Sequence, residues 1–278
     1  MNDPSTGWPN RGWPNRGWTA LILAGQRPGT DRLAVHFGLE AKALIPVAGE
    51  PMLSRVLRAV ADTPEVSQII VLAQNAAALL ADPALAWAQA DPRITARGSG
   101  MTISGSVLTA ISDPAIGLPV LVTTADNVML SAATISEFIA GAGAGAADVS
   151  VAMVERRRLE AAVGPNRRTW LSFKGGTYTG ANLFALRAPA AANALRFWET
   201  VEQDRKSVLR LAAHFGPVLM AKLLARRLTV HAALAAAGAK LGASAAPVLL
   251  SDGRMGVDVD KPEDHALAER LLTTEPQR

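Results

Sequence analysis

Residues 18–25 read Trp-Thr-Ala-Leu-Ile-Leu-Ala-Gly, and residues 42–51 read Lys-Ala-Leu-Ile-Pro-Val-Ala-Gly-Glu-Pro. The first stretch is a short apolar run that stops at Ala24-Gly25, the pattern of a parallel strand buried on both faces. Behind it lies a basic polar loop containing Arg27 and Arg32. Lys42 then stands just ahead of a second apolar stretch and a Gly-x-Pro turn. Backbone N–H groups that follow a strand-ending glycine can hold phosphate oxygens, and the lysine and arginines offset their charge. This arrangement suits a nucleoside triphosphate.

Working outward, the pattern alternates. A helix is predicted over 52–61 from the spacing of Met52, Val56, Leu57 and Val60, and a strand over Gln68–Leu72. Two short helices broken at Asp82-Pro83 fill 76–90. A helix over Ser104–Ile111, opened by a serine cap, precedes a strand over Leu118–Thr123. Ser131 is the expected N-cap of a helix over 131–140, followed by a strand over Asp148–Val154. Gly141–Ala147 reads as a flexible connection. Strand–helix alternation gives right-handed crossovers and a parallel sheet covered by helices on both faces.

Beyond residue 154 the pattern changes. Residues 155–168 are basic and read as irregular. A strand is predicted over Tyr178–Leu186, a helix over Pro189–Val201, and two or three amphipathic helices over 205–238. Short strands over Val248–Leu250 and Met255–Val259 and a helix over Pro262–Leu272 complete the chain. Residues 18–278 therefore read as one continuous domain, with a nucleotide-binding half over 18–154 and an acceptor-binding half over 155–278. Before it, Trp8–Gly12 is repeated at once as Trp13–Gly17. Residues 1–17 read as a flexible tail.

With 278 residues, 49% of them hydrophobic, the chain can bury a large core, and 5% aromatic content argues against an aromatic-rich sandwich. Zero cysteines exclude disulfides, thiolate metal sites and a cysteine nucleophile, and fit a cytoplasmic setting. No run of eighteen apolar residues escapes charge or proline, so no transmembrane segment is expected. A formal charge of +4 is compatible with simple solubility, with polyphosphate substrates or with peripheral contact with an anionic membrane. Nucleic-acid binding is not expected, because the basic residues are dispersed and lack interleaved aromatics. The four histidines have no metal-ligand spacing.

Several side chains could carry chemistry. Asp126 directly follows a strand, where ligands bind open parallel sheets; it could hold Mg²⁺ or serve as a turn or capping residue. Asp258 and Asp260 share one face of an extended segment and offer a second acidic group, or one of them caps the last helix. The Gly- and Ser-rich loop 97–107 enters a helix, and its small residues permit close approach of a base or ribose; an ordinary capped helix explains it equally. Asn182 could meet a substrate hydroxyl. Arg167, Arg168 and Lys174 could collect a second phosphate or form a solvated basic loop. Lys206 sits at a predicted helix start, where a cation hints at an anionic partner.

Together these pieces resemble the NTP-transferase superfamily. The matching elements are Leu23-Ala24-Gly25, Lys42 before Leu-Ile-Pro-Val-x-Gly-x-Pro-Met-Leu, the strand ending at Asp126, and Asp258-Val-Asp260-x-Pro-Glu-Asp264. The subgroup most similar is the molybdopterin guanylyl/cytidylyltransferase-like transferases, and the likeness covers roughly residues 18–272. It implies a glycosyltransferase-A-like, Rossmann-like three-layer α/β/α sandwich with a mostly parallel mixed sheet, of the nucleotide-diphospho-sugar transferase type. It implies transfer of NMP from an NTP, CTP or GTP, to a phosphorylated small-molecule acceptor (a sugar, polyol, alcohol or pterin phosphate) with release of pyrophosphate. The chain is expected to act as a monomer or homodimer. The implied site uses Lys42 with Arg27 or Arg32 as catalytic cations. Leu23, Ala24, Gly25, Gly29, Gly100, Ser104, Ser106 and Asp126 take the nucleotide. Asn182 takes the acceptor, and Asp126 and Asp260 take Mg²⁺. Read from the residues themselves, Arg167, Arg168, Lys174 and Lys206 are further candidates for the acceptor, and Asp258 for Mg²⁺.

The chain departs from the family in reading Leu-Ala-Gly25-Gln26-Arg27-Pro28-Gly29, where a second glycine is usual. Two other readings share part of the pattern: a glycosyltransferase using a nucleotide sugar, and a non-catalytic NTP-binding scaffold. Thr124-Ala125-Asp126-Asn127 lacks the Asp-x-Asp common in the former.

Overall fold

The computed structural model describes residues 17–26, 29, 31–202 and 215–274. The predicted tail therefore lies outside the described residues except for Gly17, as do Arg27 and Lys206. The strands are β1 (Trp18–Leu23), β2 (Pro46–Val47), β3 (Glu50–Pro51), β4 (Val66–Ala73), β5 (Ile94–Gly98), β6 (Val120–Thr124), β7 (Val149–Glu155), β8 (Leu171–Phe173), β9 (Gly176–Leu186) and β10 (Ala245–Leu249). The helices are α1 (Arg32–His36), α2 (Met52–Ala61), α3 (Ala76–Leu80), α4 (Ala86–Ala90), α5 (Ile103–Ile111), α6 (Ala132–Gly145), α7 (Arg156–Val163), α8 (Ala191–Glu202), α9 (Pro217–Leu224), α10 (Val230–Lys240) and α11 (Pro262–Thr274).

One eight-stranded sheet runs β10-β7-β9-β6-β1-β4-β5, with β8 paired to β9. β1 sits between β4 and β6, parallel to both, with Leu21 opposite Ile70 on one side and Val122 on the other. Its apolar run follows from burial on both faces: Ala20, Leu21 and Ile22 are fully buried. Ala20 and Ile22 join Ile69 and Val71 beneath α2 and α6, whereas Leu21 joins Ile70, Leu72 and Val122 beneath α5 and α8. This is a three-layer sandwich, as the resemblance implies. The sheet is mixed because β9 runs antiparallel to both β6 and β7.

The helices follow their apolar spacing. α2 buries Met52, Leu53, Val56, Leu57 and Val60, each side chain contributing about 1.5–3 kcal/mol relative to exposure. Ser131 caps α6 through the Thr134 N–H, as expected. α5 starts one residue earlier than expected, and its cap is Thr102, whose hydroxyl accepts from Gly105 N at 3.1 Å.

Several expectations need correcting, each for a tertiary reason. The Gly-Ala run 141–147 is not a loop: α6 continues to Gly145 and ends at Ala146 in the left-handed region (φ 48°). Gly141 lies against Val248 of β10, where a Cβ would come within 2.7 Å of Val248 Cγ1, so glycine there permits close helix–sheet contact. Residues 155–168 are not irregular throughout. α7 forms because Leu159 is completely buried and Arg156 pairs with Glu160 one turn on. Residues 255–259 form no strand; a 3₁₀ turn over Gly253–Gly256 leads into a segment that joins neither sheet. The sequence reading also missed β5, whose alternation is too short to declare itself.

Candidate active site

The parallel strands β1, β4, β5 and β6 open at their carboxyl ends into a cleft of about 490 Å³. In open α/β sheets this edge is where ligands bind. Leu23 and Gly25 enter it from the end of β1, Leu72 and Gln74 from β4, Ser99 and Gly100 from β5, and Thr124 and Asp126 from β6. Gly29 and Arg32 line it from the loop behind β1, and Ser106 from α5. Ala24 is buried at the partition to an adjoining, more apolar cleft. Ser104 is buried within α5 and does not line the cleft.

Lys42 lies in a 3₁₀ turn (Lys42–Leu44) whose backbone is held by the β2–β3 hairpin. Ala48 and Gly49 both take positive φ (50° and 79°) at its two-residue turn, the geometry that matches strand twist. The last helix clamps this hairpin: Glu269 accepts from Ala48 N at 2.7 Å, and His265 Nε2 donates to Pro46 O at 2.7 Å. The Lys42 ammonium is thereby placed 2.6 Å from Asp126 Oδ2 and 2.5 Å from Asp260 Oδ1. Thr124 Oγ1 donates to Asp126 Oδ1 at 2.5 Å, and Val259 N donates to Asp126 O at 3.2 Å, tying the 258–260 segment to the end of β6.

Burial alone would push the Lys42 ammonium down, but the Asp126 and Asp260 carboxylates outweigh it and hold it above the ordinary lysine value. One cation between two carboxylates leaves a net negative charge of hard oxygen atoms. Asp260 is 58% exposed and Asp126 19%. This donor pair fits a divalent cation that takes its other ligands from phosphate and water. Among the described residues no group of three or more His, Cys, Asp or Glu side chains is arranged to hold a metal without such help.

Asp258 faces elsewhere. Arg168 pairs with Asp258 Oδ1 and, at 3.1 Å, with Asp264, while Asn182 Nδ2 donates to Asp258 Oδ2 at 3.3 Å. Burial pushes the Asp258 carboxyl up, resisted by Arg168 and reinforced by Asp260 and Asp126. The Arg168 guanidinium is thus engaged in holding the 258–264 segment. Arg167 and Lys174 are exposed, and neither they nor Arg168 and Asn182 line the cleft itself. Asn182 is brought within the same network as Asp258, its backbone in the left-handed region (φ 47°).

Sequence reasoning missed Gln74. Its Oε1 accepts from Gln26 N at 3.0 Å and its Nε2 donates to Gln26 O at 2.8 Å, so one side-chain amide brackets the loop after β1. It also packs against Gly25, where a Cβ would lie 3.1 Å from Gln74 Oε1. The signal was present: Gln74, like Asp126, directly follows a parallel strand.

One edge of the sheet thus brings a glycine-ended first strand together with a lysine and two converging aspartates. The chain belongs to the family described as the MobA-like NTP transferase domain, whose model matches residues 20–251. A comparison with curated proteins gives no match. Among solved structures, a hypothetical transferase from Thermus thermophilus is 28% identical, with a TM-score of 0.73 over 90% of this chain and 99% of that one. A 4-diphosphocytidyl-2C-methyl-D-erythritol synthase from Anaerococcus prevotii shares the fold at 12% identity and TM-score 0.57, covering 93% and 97%. A CMP:2-keto-3-deoxy-manno-octonic acid synthetase solved with CTP does so at 16% identity and TM-score 0.53, covering 92% and 98%. Among the described residues no helix is long and apolar enough to cross a membrane.

Proposed function

We propose that the protein is a nucleotidyltransferase that moves NMP from an NTP to a phosphorylated small-molecule acceptor. The observation that carries this reading is the meeting of Lys42, Asp126 and Asp260 at the mouth of the cleft. Of the donors, CTP and GTP are preferred. CTP has the added support that, of two proteins of the same fold, one is named a 4-diphosphocytidyl-2C-methyl-D-erythritol synthase and the other, a CMP:2-keto-3-deoxy-manno-octonic acid synthetase, was solved with CTP.

In this reaction an acceptor phosphate oxygen attacks the α-phosphorus. The new P–O bond forms as the bond to the bridging oxygen of the β-phosphate breaks, and pyrophosphate leaves with that electron pair. Lys42 stabilises charge gathering on the equatorial oxygens, aided by Arg32 and by Arg27. The backbone after Gly25, held by Gln74, takes the triphosphate, and Gly100 and Ser106 approach base and ribose. Asp126 and Asp260 would hold Mg²⁺, which neutralises triphosphate charge when bound. Asn182 orients the acceptor.

The test is a pyrophosphate-release screen of the four NTPs against sugar, polyol, alcohol and pterin phosphates with Mg²⁺. Pyrophosphate formed only when an acceptor is present supports the reading. Release of a nucleoside diphosphate from a nucleotide sugar would replace it with glycosyl transfer, and nucleotide binding without turnover would favour a scaffold.

A further inference from the structure

Asn127 follows Asp126 directly but turns into the sheet, where it is 1% exposed. Its surroundings explain an irregularity in β9. Val151 of β7 pairs with Phe184, yet Met153 pairs with Gly180, so Ala152 alone faces Ala181, Asn182 and Leu183. On the other side the β6–β9 ladder ends at Thr123 opposite Leu183. The surplus residues form a bulge, with Asn182 in the left-handed region. Asparagine enters that region more readily than other residues with a β-carbon, and its surroundings determine whether it stays there.

Two buried side chains supply that determination. Asn127 Nδ2 donates to Ala181 O at 3.1 Å and to Thr123 Oγ1 at 3.2 Å. Thr123 Oγ1 donates in turn to Asn182 O at 2.9 Å. The network fixes the amide orientation: the threonine proton is committed to Asn182 O, so its oxygen can only accept, and nitrogen must face it. The Ala181 and Asn182 carbonyls are thereby both paired. The result is that the Asn182 side chain reaches the 258–260 segment, with its Nδ2 3.3 Å from Asp258 Oδ2.

We propose that Asn127, acting with Thr123, is a positioning residue for the acceptor side of the reaction, because it holds the bulge that aims Asn182. The five residues 123–127 then serve both substrates. Thr124 sets the Asp126 carboxylate for the nucleotide side, while Thr123 and Asn127 set the Asn182 amide for the acceptor. The kinetic part of this proposal rests on the nucleotidyltransferase reading above.

The experiment compares Asn127→Leu, Asn182→Ala and the double variant in the full chain. Asn127→Leu leaves Ala181 O unpaired and is expected to raise KM for the acceptor about tenfold, with NTP affinity within about twofold of wild type. The double variant is expected to be no worse than Asn182→Ala alone, since both act through one group. Equal losses for both substrates, or losses that multiply in the double variant, would overturn the proposal. Should Asn127→Leu not fold, Thr123→Val removes the same link with near-equal volume and is read the same way.

A second readout needs no substrate. The side-chain amide resonance of Asn182, assigned by its loss in Asn182→Ala, is expected to shift in Asn127→Leu and in Thr123→Val; an unmoved resonance sinks the proposal. If the resonance shifts in a protein that releases no pyrophosphate in the screen, the positioning stands and the reaction assignment falls instead.

Discussion

The Lys42 ammonium lies 2.6 Å from Asp126 Oδ2 although 84 residues separate the two in the chain, and the same nitrogen lies 2.5 Å from Asp260 Oδ1. A lysine that compensates the very carboxylates that suit a metal has a consequence for binding order. Nucleotide-free protein should bind divalent cation poorly, because the ammonium already occupies the focus of the pair. Lys42→Met keeps the length and removes the charge. Titration with Mn²⁺ in the absence of nucleotide, followed by calorimetry, should show binding at least about tenfold tighter in the variant. Turnover of the same variant should fall by about a hundredfold or more, the usual cost of losing charge stabilisation.

Gln74 touches the nucleotide loop through both ends of its amide. Gln74→Ala frees Gln26 and should raise KM for NTP about tenfold, with a smaller change in KM for the acceptor. Gln74→Glu can still accept from Gln26 N but cannot donate to Gln26 O, so it should restore little. Steady-state kinetics with each substrate varied in turn decides this, and an equal rise in both constants would count against it.

Asp258 predicts a pH effect on stability. Its folded-state pKa is raised by burial, so the folded protein holds this proton at pH values where the unfolded chain has released it. Stability from this group is fully present below the unfolded aspartate value, near 3.9, and is lost as pH rises through the folded value. The difference in Tm between wild type and Asp258→Asn, followed from pH 4 to 8, should move in favour of the variant as pH rises. A flat difference would show that Arg168 cancels the burial effect completely.

Gly253 meets α7 through backbone. A Cβ there would lie 2.1 Å from Arg158 O, and the three nearest atoms all belong to the backbone of Arg158 and Leu159. Gly253→Ala should destabilise the protein by about 1–3 kcal/mol, read by denaturant unfolding. Because residues 253–260 lead to Asp258 and Asp260, turnover should fall as well.

Much of this site was legible from residue order. The apolar run over 18–23 and the strand ending before Asp126 placed Gly25 and Asp126 at strand ends, and Lys42 was marked by the Leu-Ile-Pro-Val stretch that soon follows it. Asp260 was offered together with Asp258 as a second acidic group, and the resemblance implied it as the one that takes the metal. What could not be read was which polar neighbours serve the ligand and which serve the protein. Arg168 and Asp258 looked like free ligand-binding groups, yet they pair with each other, because a buried guanidinium and a buried carboxylate are each costly unless matched. No local pattern shows what Gln74 or Asn127 holds, because Gln26 and Ala181 lie in other segments.

The linear order of residues determined the three-layer sheet and the edge at which ligands meet it, since strand burial and helix amphipathicity are periodic properties of neighbouring side chains. Only the tertiary structure decided that the 141–145 glycines are helical, that 156–163 coil against Gly253, and that Asn182 stands on a bulge. Each of those depends on what a distant segment presents: the Val248 methyls, the Gly253 backbone and the Asn127 amide. Close packing and the pairing of buried carbonyls are settled between segments far apart in the chain, and no local pattern encodes them.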